Sequence, residues 1–208
     1  ITLDEAPLVT ADVDIMVCMG DTVQLGGTIS GGGTVIWITT GIGEFIPDNT
    51  TLDAQYVPDA TEEGTQITFT LEYTNGCGTV TDDLILTINA SPVANFDWEN
   101  NCEDLSIQFT NLSTISVGSN TYEWDFDGGV STDFSPNFTY AAEGFYDVEL
   151  VAISDLGCTD TIVKTVQVAN PPIAYFELDT NVVLVGDVVD LINQSTDEND
   201  WEWHIDII

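Results

Sequence analysis

Chemistry that needs a nitrogen base has two places to look in these 208 residues: one histidine, His204, and one lysine, Lys164. An imidazole-driven nucleophile would have to work through His204, which sits beside Trp203 in a strand-like run. No G-x-S-x-G, P-loop or H-E-x-x-H pattern accompanies it. Paired carboxylates can hydrolyse glycosides, but with 36 Asp and Glu pairs arise everywhere and spacing singles none out. No catalytic residue is therefore assigned. The acids offer a second chemistry, because carboxylate oxygens suit the hard cation Ca²⁺. Asp125 and Asp127 flank Phe126 in two-residue alternation, which predicts that both carboxylates leave one face. Asp133 follows in the adjoining turn, and Asp155 lies in the loop before Cys158. These four are the candidate Ca²⁺ ligands. The competing reading is that Asp125 and Asp127 accept backbone N–H bonds and shape the turn. Trp98, Tyr122 and Trp201, in acidic and turn-like surroundings, are candidates for stacking on sugars, whereas Trp37 and Trp124 read as core.

The acids are spread rather than clustered. Residues 1–91 carry 14, residues 92–171 carry 13 and residues 172–208 carry 9, and the formal net charge is -35. Binding to nucleic acid is excluded, since phosphate contacts need Lys and Arg. Anionic membrane surfaces are disfavoured for the same reason. No apolar run reaches the length of a membrane-spanning helix, so this segment is not expected to insert into a membrane. With 43% apolar residues the chain can nevertheless bury cores, which sets it apart from a disordered acidic tail.

The elements that would position these groups recur. Cys18-Met-Gly-Asp-Thr-Val-Gln-Leu25, Cys102-Glu-Asp-Leu-Ser-Ile-Gln-Phe109 and Leu184-Val-Gly-Asp-Val-Val-Asp-Leu191 align without gaps. Each is preceded by a proline (Pro7, Pro92, Pro172) and followed by a tryptophan (Trp37, Trp124, Trp203). Three features in one order at one period predict tandem modules. Residues 1–6 read as the last strand of a preceding module, 7–90 and 91–170 as complete modules, and 171–208 as the first half of another. The expected partners are accordingly neighbouring modules of a longer chain.

The modules are expected to be all-β. Ile67, Phe69, Leu71 and Tyr73 alternate with Thr and Glu, and Tyr146, Val148, Leu150 and Ala152 alternate with Asp147 and Glu149. Gly, Asn, Asp and Pro clusters separate such runs, as in β-sandwiches. Lys164 breaks the pattern by sharing parity with Ile162, Val166 and Val168, so either a bulge or a snorkelling lysine is expected.

Cys18, Cys77, Cys102 and Cys158 allow three disulfide connectivities. The repeat favours Cys18–Cys77 and Cys102–Cys158, one bridge per complete module, with separations of 59 and 56 residues. Disulfides imply an oxidising compartment and so export to the cell surface or beyond. A zinc site is disfavoured, because there is no C-x-x-C pair and only one His.

The run Tyr122-Glu-Trp-Asp-Phe-Asp-Gly-Gly129 resembles the Y-x-W-D-F-G-D-G signature of polycystic kidney disease (PKD) domains. Tyr140-Ala-Ala-Glu-Gly-Phe-Tyr-Asp-Val-Glu-Leu150 is similar to that family's Y-x-x-x-G-x-Y-x-V-x-L stretch. The signature's Gly-Asp-Gly is Asp127-Gly128-Gly129 here. The resemblance implies tandem immunoglobulin-like and PKD β-sandwich modules. Residues 17–25 and 75–78 resemble the immunoglobulin-like repeats of large secreted Bacteroidetes surface proteins. Asp21-Thr22-Val23 and Asp160-Thr161-Ile162 resemble the O-glycosylation motif of that group, which makes Thr22 and Thr161 candidate acceptors. Together these imply a non-catalytic extracellular spacer or adhesive segment of a long cell-surface protein, of adhesin or gliding-motility type, meeting surface glycans or other surface proteins. The alternatives are an accessory carbohydrate-binding region of an exported hydrolase and a structural subunit of a surface filament or layer.

Overall fold

The computed structural model describes residues 6–100, 104–169, 174–178 and 190–196. The strand expected before Pro7, Cys102, Leu184, Trp201, Trp203 and His204 lie outside the described residues. The described chain is all-β, as the two-residue periodicity predicts, with a single 3-10 turn at Ala60–Glu62.

The first repeat contributes β1 (Val9–Ala11), β2 (Ile15–Cys18), β3 (Val23–Gln24), β4 (Gly27–Ile29), β5 (Thr34–Thr39), β6 (Glu44–Ile46), β7 (Gln55–Val57), β8 (Gln66–Asn75) and β9 (Gly78–Asn89). One sheet has the order β2-β9-β8-β5, and a second has the order β3-β7-β6. The long β8–β9 hairpin turns at Asn75–Gly78, where Gly78 takes a φ of 144° that glycine alone adopts without penalty. β2 lies at the sheet edge and runs parallel to β9, with Cys18 opposite Asn89. Alternate residues of β8 (Ile67, Phe69, Leu71, Tyr73) are buried, as their spacing requires. Phe69 is the hub of the core. It packs edge-on against Trp37, Phe45 and Tyr56 with centroids 6.3, 6.0 and 4.8 Å away. Burial of each such ring contributes about 1.5–3 kcal/mol.

The second repeat contributes β10 (Phe96–Asn100), β11 (Ser106–Asn111), β12 (Asn120–Asp125), β13 (Val130–Ser131), β14 (Asn137–Thr139), β15 (Gly144–Ser154) and β16 (Thr159–Val168). Its sheets have the orders β10-β11-β14 and β13-β12-β15-β16. Further on, β17 (Phe176–Leu178) and β18 (Leu191–Asn193) pair antiparallel.

By packing, the chain divides into two compact units. The first takes residues up to Asn95 together with Leu112–Glu123 and Leu150–Ile162; the second takes Phe96–Asn111, Trp124–Glu149 and the residues from Val163 on. The first unit thus includes two stretches of the second repeat. Val93 pairs backbone to backbone with Thr114, and the Ala94 N–H donates to Asp160 Oδ2 at 2.8 Å. In the second unit an aromatic file fills the core, with Phe126 stacked on Phe138 at 4.5 Å and Phe96 edge-on to Trp124 at 5.2 Å.

Lys164 resolves as a snorkelling residue. Burial alternates along β16 without a break through Ile162, Lys164, Val166 and Val168, so no bulge intervenes. The Lys164 ammonium donates to the Phe96 carbonyl and sits 4.9 Å above the Phe96 ring, so the stem lies along the apolar face while the charge finds a carbonyl and a π face.

The disulfide arrangement differs from the one the repeat favours. Cys18 pairs with Cys158, with 5.6 Å between their Cα atoms, which rules out both Cys18–Cys77 and Cys102–Cys158. The reason lies in β9. Cys18 stands beside Asn89 at one end of this strand, and Cys77 immediately precedes Gly78 at the other. At about 3.3 Å per residue the strand holds them roughly 36 Å apart, whereas a bridge needs Cα atoms within about 7 Å. Similar separations within each repeat suggested internal bridges, but the parallel β2–β9 pairing delivers Cys18 to the end where the chain leaves the first repeat. The turn carrying Cys158 lies there.

Candidate functional site

The PKD-like signature forms the turn between β12 and β13. Trp124 pairs with Ser131 and Asp125 with Val130. The Phe126 N–H donates to the Gly129 carbonyl at 2.9 Å, and the Asp127 N–H donates to Asp125 Oδ1 at 2.9 Å. β12 ends at Asp125, and Asp127 has a φ of 58°. Asp125 and Asp127 are exposed on either side of the buried Phe126, with the chain turning left-handed at Asp127. This is the position at which the PKD signature has its first glycine, the residue for which a positive φ is free of Cβ strain. A Cβ on Gly129 would sit 2.6 Å from the Phe138 ring, so the glycine lets that ring close over the turn.

Trp124 anchors the same turn from beneath. It is 1% exposed, and its indole N–H donates to the Asp133 carbonyl at 3.0 Å. The Asp133 N–H in turn donates to Ser131 Oγ at 3.1 Å. Two carboxylates of this turn have structural tasks: that of Asp125 accepts a backbone N–H, and that of Asp133 accepts from the Ser131 hydroxyl at 3.3 Å. Asp155 belongs to the β15–β16 turn, where its N–H donates to the Ser119 carbonyl at 2.9 Å. Among the described residues, no three His, Cys, Asp or Glu form a group that could hold a metal ion.

Two of the candidate stacking rings are described, and both are half-buried. Trp98 faces Phe109 across β10 and β11 and tilts against Phe96 at 6.1 Å. Tyr122 lies within β12. Trp37 and Trp124 are core residues, as expected, and the Trp37 indole donates to the Leu52 carbonyl at 3.0 Å. Thr22 and Thr161 are both exposed. The aspartates before them are engaged: Asp21 Oδ2 accepts from the Cys18 N–H at 3.2 Å, and Asp160 Oδ2 holds Ala94.

Sequence reasoning passed over one buried polar cluster. Glu62, 6% exposed, closes a capping box with Asp59 around the 3-10 turn. Its carboxylate accepts from the N–H groups of Ile42 (2.6 Å) and Asp59 (2.8 Å) and from the Tyr56 hydroxyl (3.0 Å). The Tyr56 oxygen also accepts from the Gly43 N–H at 2.7 Å. Burial pushes the Tyr56 phenol up to about 12, with Glu62 adding to the effect and the Gly43 bond opposing it. The available signal was Asp59-Ala-Thr-Glu62, an acid three residues beyond a capping residue. Every side-chain oxygen of Glu62 and Tyr56 is engaged in hydrogen bonds within the fold.

Residues 89–169 match the family described as the PKD domain. A pre-pro-metalloprotease of Vibrio cholerae, PrtV, is 35% identical over 135 residues, which is 62% of this chain. The chain spans 14% of the length of that relative. Among solved structures, the PKD1 domain of Vibrio anguillarum Epp is 36% identical, covering 39% of this chain and 96% of that domain with a TM-score of 0.37. The N-terminal eight immunoglobulin domains of the Down syndrome cell adhesion molecule are 11% identical, covering 82% of this chain and 25% of that one at a TM-score of 0.56, a likeness of fold alone. No helix among the described residues is long and apolar enough to cross a membrane. The signature turn and the PKD-domain family match fall on the same stretch, residues 89–169, of an all-β chain of immunoglobulin-like fold.

Proposed function

We propose that this segment is a non-catalytic extracellular spacer in a longer multi-module surface or secreted protein, of the adhesin or gliding-motility type. The observation that carries this reading is the disulfide between the first repeat and the PKD-matching second repeat. A covalent tie between successive modules withstands extension and forms in an oxidising compartment. The dispersed charge of -35 supports the same reading, because like-charged surfaces keep neighbouring copies apart. A glycan array probed with the intact segment tests it: a spacer leaves the array blank, and selective binding of one glycan class would replace this reading with an adhesive one.

A second reading has an observation of its own. The similarity to part of a Vibrio cholerae pre-pro-metalloprotease supports an accessory domain of an exported hydrolase, with Trp98 and Tyr122 as the residues meeting substrate. Under that reading, fusing the segment to a hydrolase lowers the KM for polymeric substrate and leaves short substrates unaffected.

Two modifications accompany the proposal. Thr22 and Thr161 are exposed positions for an O-glycan, and the intact mass of native material would show added hexose there. Calcium at the Asp125–Asp133 turn is tested by melting with and without chelator. A chelator-dependent melting temperature would assign a metal to the turn, and an unchanged one leaves it to its hydrogen bonds.

A further inference from the structure

We propose that the Cys18–Cys158 bridge is a mechanical bypass: tension along the chain crosses from Cys18 to Cys158 through the two sulfurs, and the residues between them carry none of it. The inference follows from where the bridge sits in the order of elements. Cys18 ends β2, and Cys158 immediately precedes β16. Every element from β3 to β15 therefore lies inside a closed covalent loop with a sequence separation of 140. That loop includes the Phe69 core and all but the last strand of the second repeat. Pulling on its two ends cannot lengthen it while the sulfur–sulfur bond holds.

The described elements left in the load path are β1, β2, β16, β17 and β18. β2 is the edge strand of β2-β9-β8-β5, and β16 is the edge strand of β13-β12-β15-β16. Edge strands can be drawn off without opening the rest of a sheet, so tension acts on expendable contacts and stops at the bridge. Cys158 is 1% exposed and its N–H is held by Ser154 Oγ at 2.9 Å, whereas Cys18 is half-buried, so one end of the bridge is anchored in the core. Two bridges internal to the repeats would act differently, because the chain between Cys77 and Cys102 would stay in the load path. The bridge found here covers that connection as well.

That tension is the working load rests on the spacer reading. A glycan ligand would overturn that reading and leave the covalent bypass as it is, so the two can fail separately. The test stretches single molecules held by handles at both ends in concentrated guanidinium, where non-covalent contacts no longer contribute. At about 3.6 Å per extended residue, the oxidised chain should withhold about 500 Å of contour relative to the same chain after a phosphine has converted the bridge to two thiols. Equal contour lengths would overturn the proposal. So would withheld segments of about 210 and 200 Å, the lengths that bridges over 59 and 56 residues would hide. In native buffer, the Cys18→Ser, Cys158→Ser double variant should show unfolding steps from the interior that are absent from the oxidised parent. Interior steps of the same size in the parent would contradict the bypass, and the guanidinium measurement stands whether or not the variant folds.

Discussion

Tyr56 joins three separate segments through one oxygen, donating to Glu62 and accepting from Gly43. Tyr56→Phe keeps the ring against Phe69 but leaves the Gly43 N–H without its acceptor and Glu62 with one donor fewer. The expected cost is about 1–3 kcal/mol, read as a lower urea midpoint with an unchanged slope; an unaltered midpoint would mean that water replaces the hydroxyl. The same phenol sets a pH dependence. Tyr56 and Tyr140 both have phenols raised to about 12, from an ordinary value of 10.0, chiefly by burial. A group whose folded pKa exceeds its unfolded one keeps its full contribution below the unfolded value and loses it as pH rises toward the folded one. Stability should therefore decline between about pH 10 and 12, and Tyr56→Phe should shallow that decline. At Asp127, whose φ is 58°, Asp127→Gly should be neutral or slightly stabilising. Asp127→Val should cost about 1–2 kcal/mol, the penalty of a β-carbon in the left-handed region. Equal melting temperatures for the two variants would show that the turn relaxes out of this conformation.

The β12–β13 turn stands or falls as a unit, because Gly129 admits the Phe138 ring and Phe138 stacks on Phe126. Gly129→Ala should displace that ring and cost about 1–3 kcal/mol as overpacking; loss of near-ultraviolet ellipticity at lower temperature than in the parent would report it. Much at this scale could be read from sequence. The alternation of Ile67, Phe69, Leu71 and Tyr73 and of Val148, Leu150 and Ala152 places each residue on its buried face, because side-chain direction in a strand is a local property. The choice between a bulge and snorkelling at Lys164 could not be made locally, since its partner, the Phe96 carbonyl, comes from a strand 68 residues away. Two-residue spacing likewise gives no sign of the left-handed backbone at Asp127, because it looks the same whether a strand continues or turns there.

For the whole molecule, what was hidden is long-range. The repeat showed equivalent cysteines but not which end of each sandwich they occupy. That depends on β2 lying parallel to β9, a pairing about 70 residues apart that leaves no periodic trace. The charge, by contrast, is legible from composition alone. With a formal charge of -35, self-repulsion is screened as the Debye length falls from about 10 Å at 0.1 M to about 3 Å at 1 M salt. The melting temperature should rise across that range, and a flat profile would show that the carboxylates do not repel one another appreciably. Closing a loop over a separation of 140 restricts the unfolded chain by about 5 kcal/mol on the chain-entropy relation, so Cys18→Ser should lower the melting temperature more than any single change named above. The most direct test of the account is proteolysis of the oxidised protein without reductant, with free thiols blocked, followed by mass spectrometry of the linked peptides. The account predicts a peptide containing Cys18 joined to one containing Cys158, whereas finding Cys18 joined to Cys77 would contradict it.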